Sequence, residues 1–191
     1  AQSNTIGGRR DLGTGSMGQG NLISGNGGDG IRIEGTGTDD NTITGNYIGT
    51  DVSGSTAAPN RYHGIAVLSG AQDNQIGGGQ AGEGNVISGN GVAGVSLDGA
   101  GVTGNTVAGN LIGTDATGAS DLGNSGFGVT IAGGAEQNIV GGPDEADRNI
   151  ISYNGYSGVA IHQQGTTSNT IQNNSIGIDA DSTGGLDPRD L

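Results

Sequence analysis

The chain is predicted to be all-β, a solenoid of short parallel strands wound as a parallel β-helix, on three observations. Asn41–Asp51 reads N-T-I-T-G-N-Y-I-G-T-D and returns at Asn105–Asp115 and Asn169–Asp179, a step of 64 residues each time. Within each short apolar run the period is two, the period of a strand, and helical periodicity appears nowhere. Glycine accounts for 44 of 191 residues without the spacing or proline content of collagen. It falls between regularly placed Ile, Val and Leu, where tight turns would join short strands.

Taken in order, three kinds of strand alternate. The first opens on Asn, as in Asn4-Thr5-Ile6-Gly7 and Asn74-Gln75-Ile76-Gly77. The second opens on another Asn, as in Asn21-Leu22-Ile23, Asn85-Val86-Ile87 and Asn149-Ile150-Ile151. The third opens on Gly30, Gly64, Gly94, Gly128 and Gly158, with steps of 34, 30, 34 and 30 residues. The 64-residue repeat is therefore two coils of three strands each, which gives 5–6 coils in all. The two coils differ in the position of a long loop, near residues 77–84 in one and 50–63 in the other. Strands this short cannot stand alone; stacked about 4.8 Å apart they form parallel sheets.

The same pattern assigns side chains to faces. The first and third residues after each opening Gly, and the residue two after each strand-opening Asn, point inward. The core is then narrow and aliphatic, in keeping with 3% aromatics and no Trp. Asn suits the corners, because it tolerates left-handed backbone and its amide can bond a neighbour above or below. Two ladders are expected. One is Asn4, Asn41, Asn74, Asn105, Asn138 and Asn169; the other is Asn26, Asn46, Asn90, Asn110, Asn154 and Asn174.

Composition excludes several classes. A net charge of −13, with six Arg and no Lys, opposes binding to nucleic acid or an anionic membrane. No apolar run approaches the ~20 residues of a membrane span. There is no Cys, hence no disulfide framework and no thiolate metal site. The first residues carry no signal peptide, so a secreted form would be a mature fragment. Both ends, at Ala1 and Leu191, break the strand pattern mid-coil without a cap, and a longer rod is expected.

The N-T-I-x-G, G-N-x-I-S-G-N, G-I/V-x-I and N-x-I-G-T-D units cover essentially the whole chain. On these units it resembles the bacterial right-handed parallel β-helix repeat proteins of the pectate-lyase-like superfamily. It looks most like the Asn/Gly-rich type carried by secreted and surface proteins. The resemblance implies the fold and a right-handed winding. It leaves activity open, since the superfamily holds lyases, hydrolases, epimerases, tailspikes and non-catalytic stalks. Lyases of this kind typically cluster acids around Ca²⁺ and use Lys or Arg as base.

Candidate site residues lie on the outward positions. The Gly-opened strands present one row of Arg32, Ala66, Ser96, Thr130 and Ala160, and another of Glu34, Leu68, Asp98, Ala132 and His162. Arg32, Glu34, Asp98 and His162 are the candidates for acid–base work. Acids recur only in alternate coils, about 9.6 Å apart, too far to share one Ca²⁺. Asp51, Asp115 and Asp179 occupy equivalent loop positions and could hold Ca²⁺; alternatively each Asp bonds its own turn. His63 aligns with Phe127 as a loop anchor. The residue after the second strand's Asn gives an apolar row of Leu22, Tyr47, Val86, Leu111 and Ile150, either covered by the long loops or forming an interface.

The expected function is a rigid, ligand-presenting segment of an extracellular or cell-surface bacterial protein, adhesin- or stalk-like. Its partner would be a polysaccharide or another β-helix. The alternatives are a polysaccharide-active lyase, epimerase or hydrolase, and a self-assembling filament subunit.

Overall fold

A computed structural model describes residues 1–178. Asp179, and the chain end at Leu191, lie outside the described residues. Seventeen strands, numbered in chain order, form three sheets in which every pairing is parallel. The first sheet contains β1 (Thr5–Gly7), β4 (Thr42–Thr44), β7 (Gln75–Gly77), β10 (Thr106–Ala108), β13 (Ile139–Gly141) and β16 (Thr170–Gln172). The second contains β2 (Leu22–Ile23), β5 (Tyr47–Ile48), β8 (Val86–Ile87), β11 (Leu111–Ile112), β14 (Ile150–Ile151) and β17 (Ser175–Ile176). The third contains β3 (Ile31–Glu34), β6 (Ile65–Leu68), β9 (Val95–Asp98), β12 (Val129–Ala132) and β15 (Val159–Ile161). Over the described residues the chain visits the three sheets in turn, making five full coils and two strands of a sixth. This is a parallel β-helix of short strands, as the repeat predicts.

The inward positions stack in register. Ile43, Ile76 and Val107 of the first sheet, Ile48, Ile87 and Ile112 of the second, and Ile65, Val95 and Val129 of the third are all fully buried in one cluster. No aromatic ring belongs to that cluster. Burying one such aliphatic side chain contributes about 1.5–3 kcal/mol, so a core only one residue deep is held by repetition rather than bulk. Glycine opens each third-sheet strand because that corner has no room. A Cβ on Gly64 would lie 2.5 Å from the Ile87 side chain and 2.7 Å from the Gly94 carbonyl oxygen.

Asparagines tie the corners in three ladders. Before the first sheet, Asn4, Asn41, Asn74, Asn105, Asn138 and Asn169 bond amide to amide from coil to coil. In each step the next Oδ1 accepts both the backbone and the side-chain N–H of its neighbour, as Asn105 does from Asn74 at 3.0 and 2.9 Å. The second expected ladder is corrected. Asn46, Asn110 and Asn174 stand before second-sheet strands and join Asn21, Asn85 and Asn149. Asn26, Asn90 and Asn154 stand after those strands and join Asn60 and Asn124 at the third corner.

The long loops alternate for a steric reason. The loop after β5 closes on an antiparallel bridge between Thr50 and Ala57, and that after β11 on one between Thr114 and Asp121. The intervening coil has only a short turn after β8, and the two loops meet across it, the Ala116 N–H donating to the Gly54 carbonyl at 2.9 Å. Each loop thus occupies the height of two coils, about 9.6 Å. The 64-residue unit is the smallest that accommodates it. A 3-10 turn, Glu145–Asp147, sits in another loop. Among the described residues no helix is long and apolar enough to cross a membrane.

Candidate functional site

The outer face of the third sheet holds most of the chemistry-bearing candidates. The registers Arg32–Ala66–Ser96–Thr130–Ala160 and Glu34–Leu68–Asp98–Ala132 place them in two rows along the axis. Arg32 is engaged within its own strand region, its guanidinium donating to Glu34 at 2.8 Å and to Asp29 at 3.0 Å. These pairs push the Arg32 pKa up, Glu34 more than Asp29, and hold the Glu34 carboxyl below its ordinary range. Asp29 also accepts the His63 backbone N–H at 3.1 Å. Leu68 separates Glu34 from Asp98. Of the four candidates, Arg32 and Glu34 therefore form a bonded pair, while Asp98 and His162 lie on other coils.

The two histidines differ. The His162 Nε2 lies 3.1 Å from the Thr130 hydroxyl of the preceding coil, and its ring centroid is 6.1 Å from that of Phe127. His63 is half-buried, and its Nδ1 is buried without a hydrogen-bond partner. Burial pushes the His63 pKa down, against the pull of Asp29 and Asp98, so the ring is neutral at pH 7.

Asp51 and Asp115 both close their own loops. Asp51 accepts the Ser53 hydroxyl and the backbone N–H groups of Ser55 and Thr56. Asp115 accepts the Thr117 hydroxyl at 2.7 Å and the N–H groups of Thr117, Ala119 and Ser120. Burial alone would raise the Asp115 carboxyl, but these bonds outweigh it and hold the group below its ordinary value; the Ser53 hydroxyl chiefly does the same for Asp51. Among the described residues no group of three or more His, Asp or Glu is placed to hold a metal ion.

The folded pKa of Asp115 is depressed, so its loop bonds stabilise the fold above the unfolded value of about 3.8 and are lost as pH falls through the folded value. Asp115→Ala is therefore expected to be less stable than wild type at pH 7, with the gap narrowing below pH ~4. Urea unfolding of both proteins between those pH values checks this; a pH-independent gap would show that the charge is not involved.

The apolar row on the second sheet is not a continuous exposed stripe. Leu22 is 43% exposed, whereas Tyr47 and Val86 are buried and Leu111 and Ile150 half-buried. Tyr47 shows the reason. The Arg10 guanidinium from the first long loop lies 5.3 Å from the ring centroid, and a Cβ on Gly54 of the following loop would lie 3.4 Å from the far end of the ring.

A surface that sequence reasoning missed lies at the corner leading into the third sheet. Gly28, Tyr62, Val92, Gly126 and Tyr156 are stacked there by an unbroken run of backbone bonds: Tyr62 N–H to Gly28 O, Val92 to Tyr62, Gly126 to Val92 and Tyr156 to Gly126. Tyr62 is 46% exposed, Val92 38% and Tyr156 69%. The Arg61 guanidinium lies 5.4 Å from the Tyr62 ring, and the Phe127 ring is 5.5 Å from that of Tyr156. Three of the five aromatic rings of the chain, and both histidines, thus lie at or beside one corner. The signal was present in the sequence, since all five row residues stand two places before an opening Gly.

Fold and surface together define the class, a parallel β-helix with asparagine ladders. Comparison with protein-family profiles, curated proteins and solved structures gives no match for the chain.

Proposed function

We propose that the chain is a rigid, ligand-presenting segment of a secreted or cell-surface bacterial protein, of the pectate-lyase-like, asparagine- and glycine-rich type. The observation that carries this reading is the set of three asparagine ladders, which bond coil to coil and make the segment stiff along its axis. The charged groups of the third sheet support it too: Arg32 donates to both Glu34 and Asp29, as suits a structural face. A polysaccharide or a neighbouring β-helix would be the partner, and the acidity of the chain argues against nucleic acid.

The unpartnered Nδ1 of His63 favours a second reading, a polysaccharide-active enzyme. Incubation with a panel of acidic and neutral polysaccharides, with and without Ca²⁺, tests both readings at once when cleavage and binding are scored together. Binding without turnover is expected. Turnover that is lost in His63→Ala would overturn the structural reading.

A further inference from the structure

The exposed corner row has a symmetry of its own. Read along the axis it runs Gly28, Tyr62, Val92, Gly126, Tyr156: low, high, middle, low, high. Gly126 is buried between Val92 and Tyr156, so the row dips there. We propose that this strip is a homodimer interface in which two copies pack antiparallel about a two-fold axis through Val92. That operation sets Tyr156 over the partner's Gly28, Tyr62 over the partner's Gly126 and Val92 against the partner's Val92. A parallel pairing would instead set Tyr156 against the partner's Tyr156.

The flanking rows agree with the same axis. His63 comes opposite the partner's Phe127, which adds a ring contact beside Tyr62. Gly91 comes opposite the partner's Gly91 and Ala93 opposite the partner's Ala93, and these small residues let the backbones approach. Charge also permits contact at this face. The chain carries 19 Asp and Glu residues, yet the strip formed by residues 27–29, 61–63, 91–93, 125–127 and 155–157 contains one carboxylate, Asp29. Its side chain is 7% exposed and bonded to Arg32. Two copies of this acidic chain therefore meet at the strip without facing carboxylates.

Size sets the strength. Four coil steps make the strip about 19 Å long, which buries less than the ~800 Å² per partner of a standard interface. The dimer is therefore weak and concentration-dependent. The inference concerns one face of the rod and does not depend on glycan binding or cleavage elsewhere on the chain.

Sedimentation equilibrium from about 10 µM to about 1 mM, the range a sub-standard interface calls for, tests it. The average mass of the wild type is expected to rise from 18.5 kDa toward twice that value. Gly28→Tyr is the informative variant, because a Cβ there meets nothing within 4 Å in the monomer. It should leave the melting curve unchanged, fill the dip that receives Tyr156, and weaken association by at least about tenfold. Adding Tyr156→Gly to Gly28→Tyr exchanges knob and dip, and should restore association to within a few-fold of wild type. A wild type that stays monomeric throughout overturns the proposal. So does a Gly28→Tyr protein that dimerises like wild type, or a double variant that fails to recover. Binding of a neutral glycan to a monomer, abolished by Tyr156→Ala, would reassign the strip to a carbohydrate ligand and equally overturn it.

Discussion

Asn105→Ala is expected to destabilise the fold by about 3 kcal/mol or more, beyond the usual range of a surface substitution. The side chain is fully buried and serves both neighbours. Its Oδ1 accepts the N–H and Nδ2 of Asn74, and its Nδ2 donates to Asn138 Oδ1 and to the carbonyls of Ala71 and Thr103. Alanine removes every one of these bonds and leaves buried donors and acceptors on three coils. Each buried group left without a partner costs about 1–3 kcal/mol before relaxation. Asn4→Ala is the matched control: Asn4 is exposed at the first coil and bonds only upward, to Asn41. Its loss should cost under about 1 kcal/mol. Urea unfolding of both variants decides the matter. An Asn105→Ala protein within about 0.5 kcal/mol of wild type would remove the ladders from any account of stability.

Gly113→Ala is expected to be at least as damaging, for a different reason. Gly113 ends a second-sheet strand with φ +87°, and a Cβ there would lie 2.1 Å from the Ser152 carbonyl oxygen and 2.6 Å from Asn154 Oδ1. Left-handed backbone alone costs an ordinary residue about 1–2 kcal/mol. The collision adds to this, because the carbonyl belongs to the next coil and cannot retreat without opening the sheet. Gly25→Ala separates the two contributions, since Gly25 has φ +72° and no neighbour within 4 Å of its Cβ position. It should show only the backbone cost of about 1–2 kcal/mol. Equal losses at Gly113 and Gly25 would mean that the coil spacing yields easily.

The architecture was legible because it is periodic. Inward residues such as Ile48 and Ile112 recur at equivalent places in the 64-residue unit, and a strand period of two leaves no freedom in which face they take. The first asparagine ladder was legible for the same reason. The second was misassembled because Asn26 and Asn46 both follow Gly and look alike in the sequence, while one stands after its strand and the other before it. Loops of unequal length obscure the rungs: successive partners in the true second ladder are separated by 25, 39, 25, 39 and 25 residues. Distance to the next opening Gly would have resolved it, since Asn26, Asn60, Asn90, Asn124 and Asn154 all stand four residues before one.

Surface properties were less legible. Strand periodicity assigns the row containing Tyr47 and Val86 to the outer side of its strands, yet says nothing about which loop folds back over it. The Tyr62–Tyr156 corner lies in a turn, where no alternation flags an exposed ring. Arg32 illustrates a third limit. Its row was assigned from the strand pattern, but its engagement by both Glu34 and Asp29 depends on side-chain rotamers that spacing does not determine.

The interlocking loops at Gly54 and Ala116 also bear on how such a chain can change length. Removing or adding a single coil would bring two tall loops onto neighbouring levels, where there is height for only one. Removing or adding a pair leaves the alternation intact. Growth and shrinkage by recombination would therefore proceed in whole 64-residue quanta, each lengthening the rod by about 9.6 Å. The gene for such a protein would carry its ruler marks at that interval, independent of what the rod holds out to its surroundings.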